Sequence, residues 1–299
     1  MEQTVSVESP QETPVASTPV PWLPLGWVGF ALLASFYPML VPLVRQWVDD
    51  GDMGHGFFVP VVSLYIAWLR RDDILAATGT RNYLGLFVMA WAAFQFLVGH
   101  LAAENFLYRT SIILSLGGIC IYLGSWRLLK VVAFPLCLLF FMVPLPSVIY
   151  NRITFPLQLF ASRAAEVSLL LLGIPVVRDG NVLELAEQRL SVVEACSGIR
   201  SLLSLTFLSL VYGYFFETSF RMRMFLLVAT VPIAIAANAF RVSATGVLYE
   251  VNRAWAEGFF HSAEGWVIFM FALGLLIGLH RFLLWFGKGV ARARAEAKS

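Results

Sequence analysis

The sequence predicts an all-α polytopic membrane protein with about eight transmembrane helices, one interfacial amphipathic helix and a small outer-face β-hairpin. Three observations carry this. Apolar residues make up 59% and charged residues 13% of the 299 positions, against roughly 45–50% and about 25% in soluble domains. Mean hydropathy is +0.76, too apolar for a water-soluble surface. Runs near the ~20 residues that one span requires recur along the whole chain, at about 22–44, 83–101, 106–124, 131–149, 197–216, 224–245 and 264–286. A shorter run at about 55–69 ends on Arg70 and Arg71, whose side chains snorkel and so lengthen it. Little room is left for a soluble domain, so any active site is built from helix ends and short loops.

Residues 1–21 carry Glu2, Glu8 and Glu12, several Pro, Ser and Thr, and no Lys or Arg. That composition predicts a disordered cytoplasmic tail rather than a basic secretory leader. One transmembrane domain follows over 22–287, and 288–299 forms a basic cytoplasmic tail. Short-loop cations set the orientation. Arg70, Arg71 and Arg81, then Arg127 and Lys130, then Arg221 and Arg223, and finally Lys288, Arg292, Arg294 and Lys298 all face the cytoplasm if eight spans have both ends inside. Asp49, Asp50, Asp52 and Glu104 then face outward. Parity keeps segment 154–174 from crossing. Its Arg163 and Glu166, at i and i+3, suit an amphipathic helix in the outer interface. Beyond it, 176–185 and 189–194 alternate and are rich in Val and Leu, around the turn signal Asp179–Gly180–Asn181. A β-hairpin or an ordered loop both fit.

Three polar groups fall at the outer boundary of this topology. Cys196 precedes the run SGIRSLLSL, where unpaired N–H groups and the positive end of a helix dipole favour a thiolate. The same residue also reads as a small apolar packing group. Arg241, near the outer end of the next span, costs about 3 kcal/mol to insert; it suits a carboxylate or an oxyanion, or it snorkels to the boundary. His261, just before the last span, suits general acid and base chemistry, or a plain polar contact. Around them, Ser197 adjoins the thiol, Arg200 binds an anion or balances charge, and Asn238 orients Arg241 or bonds a neighbouring helix. Glu194 positions Arg200 or Arg241, and His55 with Asp52 lines a groove, orients His261 or makes a loop contact. Cys120 and Cys137, within apolar runs, read as packing residues. Together a nucleophile, a proton-transfer group and a cationic oxyanion stabiliser outline a cysteine acyl-transfer site.

These blocks carry a resemblance. VVEACSGIRSLLSL (192–205), IAIAANAFRVSATG (233–246) and AEGFFHSAEGW (256–266) resemble the three core motifs of the exosortase/archaeosortase family. GHGFFVPVVSLYIAWLRR (54–71), MVPLPS (142–147) and GIPVVRDGNVLEL (173–185) are similar to its upstream landmarks, and His in the third block points to the bacterial exosortase branch. The resemblance implies a polytopic inner-membrane cysteine transpeptidase or protease with a periplasmic site. Its substrates would be secreted proteins ending in a PEP-CTERM-like sorting motif, a transmembrane helix and a basic cluster, and exopolysaccharide loci often accompany it. It also implies catalytic roles for Cys196, Arg241 and His261.

No cofactor is expected. Three scattered cysteines make neither a disulfide framework nor a zinc site, so no metal is expected, and a net charge of +2 gives no case for nucleic acid. Two rival readings remain: a transporter, which calls for midplane ionisable groups and inverted repeats, and a non-catalytic scaffold for exopolysaccharide assembly, which needs no thiol.

Overall fold

The computed structural model describes residues 22–185, 189–191, 198–251 and 259–296; the tail expected over 1–21 lies outside them. In chain order it contains α1 (Trp22–Asp49), a 3-10 turn (Gly51–Phe57), α2 (Phe58–Leu69), α3 (Arg71–Ala77), α4 (Leu84–Leu101) and α5 (Asn105–Leu138). A second 3-10 turn (Leu139–Met142), α6 (Ser147–Leu171), β1 (Val176–Asp179), β2 (Val182–Leu185) and β3 (Arg189–Ser191) come next. Finally come α7 (Gly198–Phe216), α8 (Phe220–Val251) and α9 (Phe259–Glu296), so most of the basic stretch after 287 is helical.

Among the described residues, five helices are long and apolar enough to cross a membrane: Gly26–Asp49, Leu84–Leu101, Asn105–Met142, Phe220–Leu248 and Val267–Phe286. Met53–Leu69 and Leu202–Phe216 are apolar but shorter. Five rather than eight such helices are therefore found among the described residues: two apolar helices are shorter, and the two runs read at 106–124 and 131–149 fall in one helical stretch that folds back in its middle. At Gly124 and Ser125 the backbone leaves helical geometry, and Ser125 takes a positive φ of 56°. A Cβ on Gly117 would sit 4.0 Å from Leu129 Cδ1, yet twelve residues of straight helix span about 18 Å. The element is a helical hairpin with arms 105–123 and 126–138. Asn82 Nδ2 donates to Ser125 Oγ at 3.2 Å, holding the reversal.

Glycines set how closely α4 lies on the first arm. A Cβ on Gly85 would meet Tyr122 N at 2.4 Å, and one on Gly99 would meet Tyr108 N at 2.5 Å. Close backbone approach through small residues is how apolar helices associate where lipid removes the hydrophobic drive. Glu104 caps the first arm by accepting from Leu107 N at 2.7 Å, satisfying a donor the helix start leaves open.

The charged groups sort to two ends. Arg70 Nη1 donates to Val131 O at 3.4 Å and Gly79 N to Leu123 O at 3.0 Å, which gathers Arg70, Arg71, Arg81, Arg127 and Lys130 at one end, here the basic end. At the opposite end Trp47 Nε1 donates to Met142 O at 3.0 Å, and buried Arg109 donates to Gln46 Oε1 at 2.6 Å; Asp49, Asp50 and Glu104 stand there. Phe36, Met39, Leu43, Trp47, Val59, Ile66, Leu138 and Phe207 fill the core between α1, α2, α5 and α7.

Two local expectations change. The predicted hairpin is a three-stranded antiparallel sheet in the order β1-β2-β3, with Val176 opposite Leu185 and Val182 opposite Ser191. The predicted interfacial helix is longer, 147–171, and one row of its polar residues faces inward, while Asn151, Arg152 and Arg163 stay outside. Thr154, Gln158 and Ser162 are buried, whereas Phe155, Phe160 and Leu171 are exposed. The sheet satisfies that polar face: Asn181 Nδ2 donates to Gln158 Oε1 at 3.3 Å, and Ser162 Oγ to Gly180 O at 3.1 Å. Glu166 pairs with Arg178 at 2.9 Å rather than with Arg163, because β1 brings a guanidinium to it while Arg163 turns outward. Cys137 is exposed rather than packed inside.

Candidate active site

α7 and α8 form an antiparallel hairpin. Arg223 Nε donates to Glu217 O at 2.7 Å across the turn, and the Thr206 and Thr230 hydroxyls stand 3.4 Å apart. α9 runs antiparallel to α8, with Phe271 stacked on Phe240 at 5.2 Å between centroids. It runs parallel to α7, with His280 Nδ1 and the Tyr212 hydroxyl 2.8 Å apart. Leu205, Leu226, Ala229, Ala237, Ile268, Ala272 and Leu276 fill the space among the three. The start of α7, the later part of α8 and the start of α9 thus share one end of the unit. Phe207 meets Phe141 at 5.9 Å and Tyr214 stacks on Phe134 at 4.5 Å, so that end lies away from the basic end.

Gly198 is eight residues before Thr206 and Asn238 eight after Thr230, so both stand about 12 Å beyond that pair at 1.5 Å per residue. Arg241 is one turn further. Arg241 is 9% exposed and Asn238 4% exposed, on the buried stripe Ala234, Ala237, Asn238, Arg241, Val242 and Thr245. The i, i+3, i+4 spacing puts them on one helix face. Thr245 Oγ1 donates back to Arg241 O at 2.9 Å. Val242 packs with Ala165, Leu169, Val176 and Leu183, so α6 and the sheet cover α8 immediately beside Arg241.

Of the other residues singled out in the sequence, His261 lies in the first turn of α9 and Arg200 in the first turn of α7. Cys196, Ser197 and Glu194 lie outside the described residues, between β3 and α7 in the chain. His55 meets the 3-10 turn that follows α5, at the end opposite the basic one, where Nε2 contacts Phe141 O at 3.1 Å. Among the described residues no group of His, Cys, Asp and Glu is arranged to hold a metal ion.

The sequence reading missed one constellation. His280, 2% exposed, contacts Tyr212 through Nδ1 and Glu217 Oε2 through Nε2 at 3.1 Å. Glu217 Oε1 accepts from Ser219 N at 2.8 Å. That N–H and His280 hold the Glu217 carboxyl below the usual carboxylate range. The signal was a lone His inside an apolar run; its partners lie 63 and 68 residues away, a distance that periodicity does not bridge.

Apolar helices with outward-facing Phe, Leu and Trp, and a buried guanidinium beside a sheet-capped helix end, define a multi-pass helical membrane protein with a polar site at one end. Residues 47–278 match the transmembrane exosortase family (Exosortase_EpsH). The chain belongs to that family. Comparison with curated proteins and with solved structures found no match.

Proposed function

We propose that the protein is a membrane cysteine transpeptidase or protease that cleaves the C-terminal sorting signal of secreted proteins, with Cys196 as nucleophile, Arg241 as oxyanion stabiliser and His261 as general acid and base. The observation that carries this reading is Arg241, a guanidinium 9% exposed within an apolar helix, at the end where α7 and α9 begin. Such a charge is too costly to keep in lipid without a use. Cys196 precedes α7 by two residues and His261 opens α9. Family membership supports protein-sorting chemistry.

His261 takes the Cys196 thiol proton, and the thiolate attacks the scissile carbonyl. Arg241 donates to the tetrahedral oxyanion. Collapse breaks the C–N bond, His261 protonates the departing amine, and a thioester to Cys196 remains. An acceptor nucleophile then attacks, giving its proton to His261, which returns it to the leaving thiolate. An amine acceptor makes the enzyme a transpeptidase, and water makes it a protease. Asn238, three residues before Arg241 on the same face, orients the guanidinium; Ser197, Arg200 and Glu194 support the thiol's surroundings, and His55 holds the neighbouring helical hairpin.

In this reading both arms of the α5 hairpin and the two shorter apolar helices cross the membrane, giving eight crossings. The basic end then faces the cytoplasm by the positive-inside rule, and the site faces the periplasm of a bacterial inner membrane. A substrate tail helix enters beside the enzyme with its basic cluster at the cytoplasmic face. The test is co-expression with a tagged secreted substrate bearing a sorting tail. Cleavage occurs with the native enzyme, is abolished in Cys196→Ala and is strongly reduced in Arg241→Ala and His261→Ala. Unchanged cleavage in Cys196→Ala would refute the proposal, and mass spectrometry of the product identifies the acceptor.

A further inference from the structure

The α7–α8–α9 unit poses a problem of register. Its shared interior is Leu, Ile and Ala, and small apolar side chains let helices slide with little penalty between neighbouring positions, since nothing in such a contact is directional. The functional ends are sensitive to that sliding. One residue of slip moves a helix by about 1.5 Å and one turn by about 5.4 Å, whereas proton transfer needs heavy atoms within about 3 Å. Catalysis at the open end therefore requires something that fixes α9 axially against the α7–α8 hairpin.

The chain Tyr212–His280–Glu217 has the properties needed. It joins α7, the α7–α8 turn and α9 through contacts of 2.8 and 3.1 Å. His280 and Glu217 side chains are 3% and 10% exposed. Every group is satisfied in one arrangement: Nε2–H donates to Glu217 Oε2, and the Tyr212 hydroxyl donates to Nδ1. Ser219 N occupies the other carboxylate oxygen at 2.8 Å. Slip by one turn would leave the buried imidazole without partners and the carboxylate without its His280 donor, which is unfavourable. A single buried polar contact selecting the register of apolar helices is the best-attested use of such groups. The contact lies at the basic end, far from Arg241, and reaches neither substrate nor reacting atoms.

We infer that Tyr212, His280 and Glu217 are positioning residues: their part-buried chain, centred on buried His280, sets the axial register of α9 against the α7–α8 hairpin, and so the placement of His261 relative to Cys196 and Arg241. The catalytic part of this inference rests on the proposed function; the register part does not. The groups facing His280 are Tyr212 from α7 and Glu217 from the turn; Arg223 of α8 engages the Glu217 carbonyl and the Tyr214 carbonyl.

The experiment uses the full chain in lipid nanodiscs. His280→Leu removes both polar contacts, whereas His280→Gln keeps one donor for Glu217 and one acceptor for Tyr212 but does not titrate. The expected result is a ten- to hundredfold loss of kcat for His280→Leu at unchanged KM, the size that displacements near 1 Å produce, with most activity restored in His280→Gln. Register is read separately, without activity, in chains carrying Cys196→Ala, Cys120→Ala and Cys137→Ala. Phe240→Cys with Phe271→Cys reports the native register, and Phe240→Cys with Val267→Cys reports a slip of one turn; all three positions are exposed. Oxidative cross-linking should favour the first pair severalfold, and His280→Leu should erase that preference. An unchanged preference in His280→Leu overturns the inference, as does a His280→Gln variant no better than His280→Leu. If cross-linking shifts while Cys196→Ala still cleaves substrate, the register chain stands and the catalytic reading fails.

Discussion

Replacing Gly85 by Ala tests how α4 is held to the α5 hairpin. The added Cβ would stand 2.4 Å from Tyr122 N, 2.5 Å from Gly118 O and 2.7 Å from Tyr122 Cα. All three are backbone atoms, so no side chain can swing away to make room. Ordinary contact begins at 3.4 Å, so α4 must retreat by about 1 Å, a gap that forfeits a quarter to a half of each dispersion contact it opens. Overpacking of this kind costs about 1–3 kcal/mol, and the better helix propensity of Ala returns at most about 1 kcal/mol. A net loss of about 1–2 kcal/mol is expected. Gly117→Ala in the same hairpin is the control, because its Cβ would meet only Leu129 Cδ1 at 4.0 Å and should leave stability level or raise it. Thermal unfolding in detergent, followed by Trp fluorescence, compares the two. If Gly85→Ala melts no lower than Gly117→Ala, the close backbone contact does not hold these helices together.

Three further outcomes follow from named contacts. Trp47→Phe keeps a ring beside Phe57 but leaves the Met142 carbonyl without its 3.0 Å donor, so the same unfolding assay should show a loss of about 1–2 kcal/mol. Arg241→Lys keeps the charge but loses the planar fork; single-turnover cleavage should fall about a hundredfold or more, and native rates in the Lys variant would exclude the guanidinium as oxyanion donor. The Glu217 carboxyl is held low by Ser219 N–H and then by His280, so its stabilisation is complete above its unfolded-state value and is lost as pH falls through its lower folded-state value. Unfolding of native protein and Glu217→Gln, compared from neutral pH downward, should show a gap that is widest at neutral pH and closes in acid; a constant gap would mean the carboxylate charge is not what stabilises the fold.

Much of the helical layout is legible in the sequence because hydrophobic run length reports directly on bilayer thickness. The runs at 83–101, 197–216, 224–245 and 264–286 all lie within observed helices, apart from residues at their ends. The turn signal Asp179–Gly180–Asn181 lies where β1 meets β2, and Gly180 takes a φ of 61°. Other features follow from contacts between distant segments. The inward polar face of α6 depends on the sheet that covers it, and Glu166 takes Arg178 rather than Arg163 because β1 delivers the closer guanidinium. The fold-back at Gly124 and Ser125 lies at the gap between the runs at 106–124 and 131–149, but the second arm ends at Leu138 and α6 starts at Ser147, which the run 131–149 does not show.

The residues of the candidate site stand differently. Arg241 is conspicuous in sequence as a charge within an apolar run, and its burial beside Asn238 adds that the face it shares points inward. His280 is likewise a polar group within an apolar run, but its meaning lies in partners on two other segments. By itself the sequence determined a multi-pass membrane chain, most of its apolar helical runs and the blocks that mark its family, because hydropathy and local motifs are properties of neighbouring residues. Only the tertiary structure decided which helix ends meet and how Tyr212, His280 and Glu217 join. Apolar periodicity specifies that helices pack but leaves their axial register free, and a few directional hydrogen bonds then fix it.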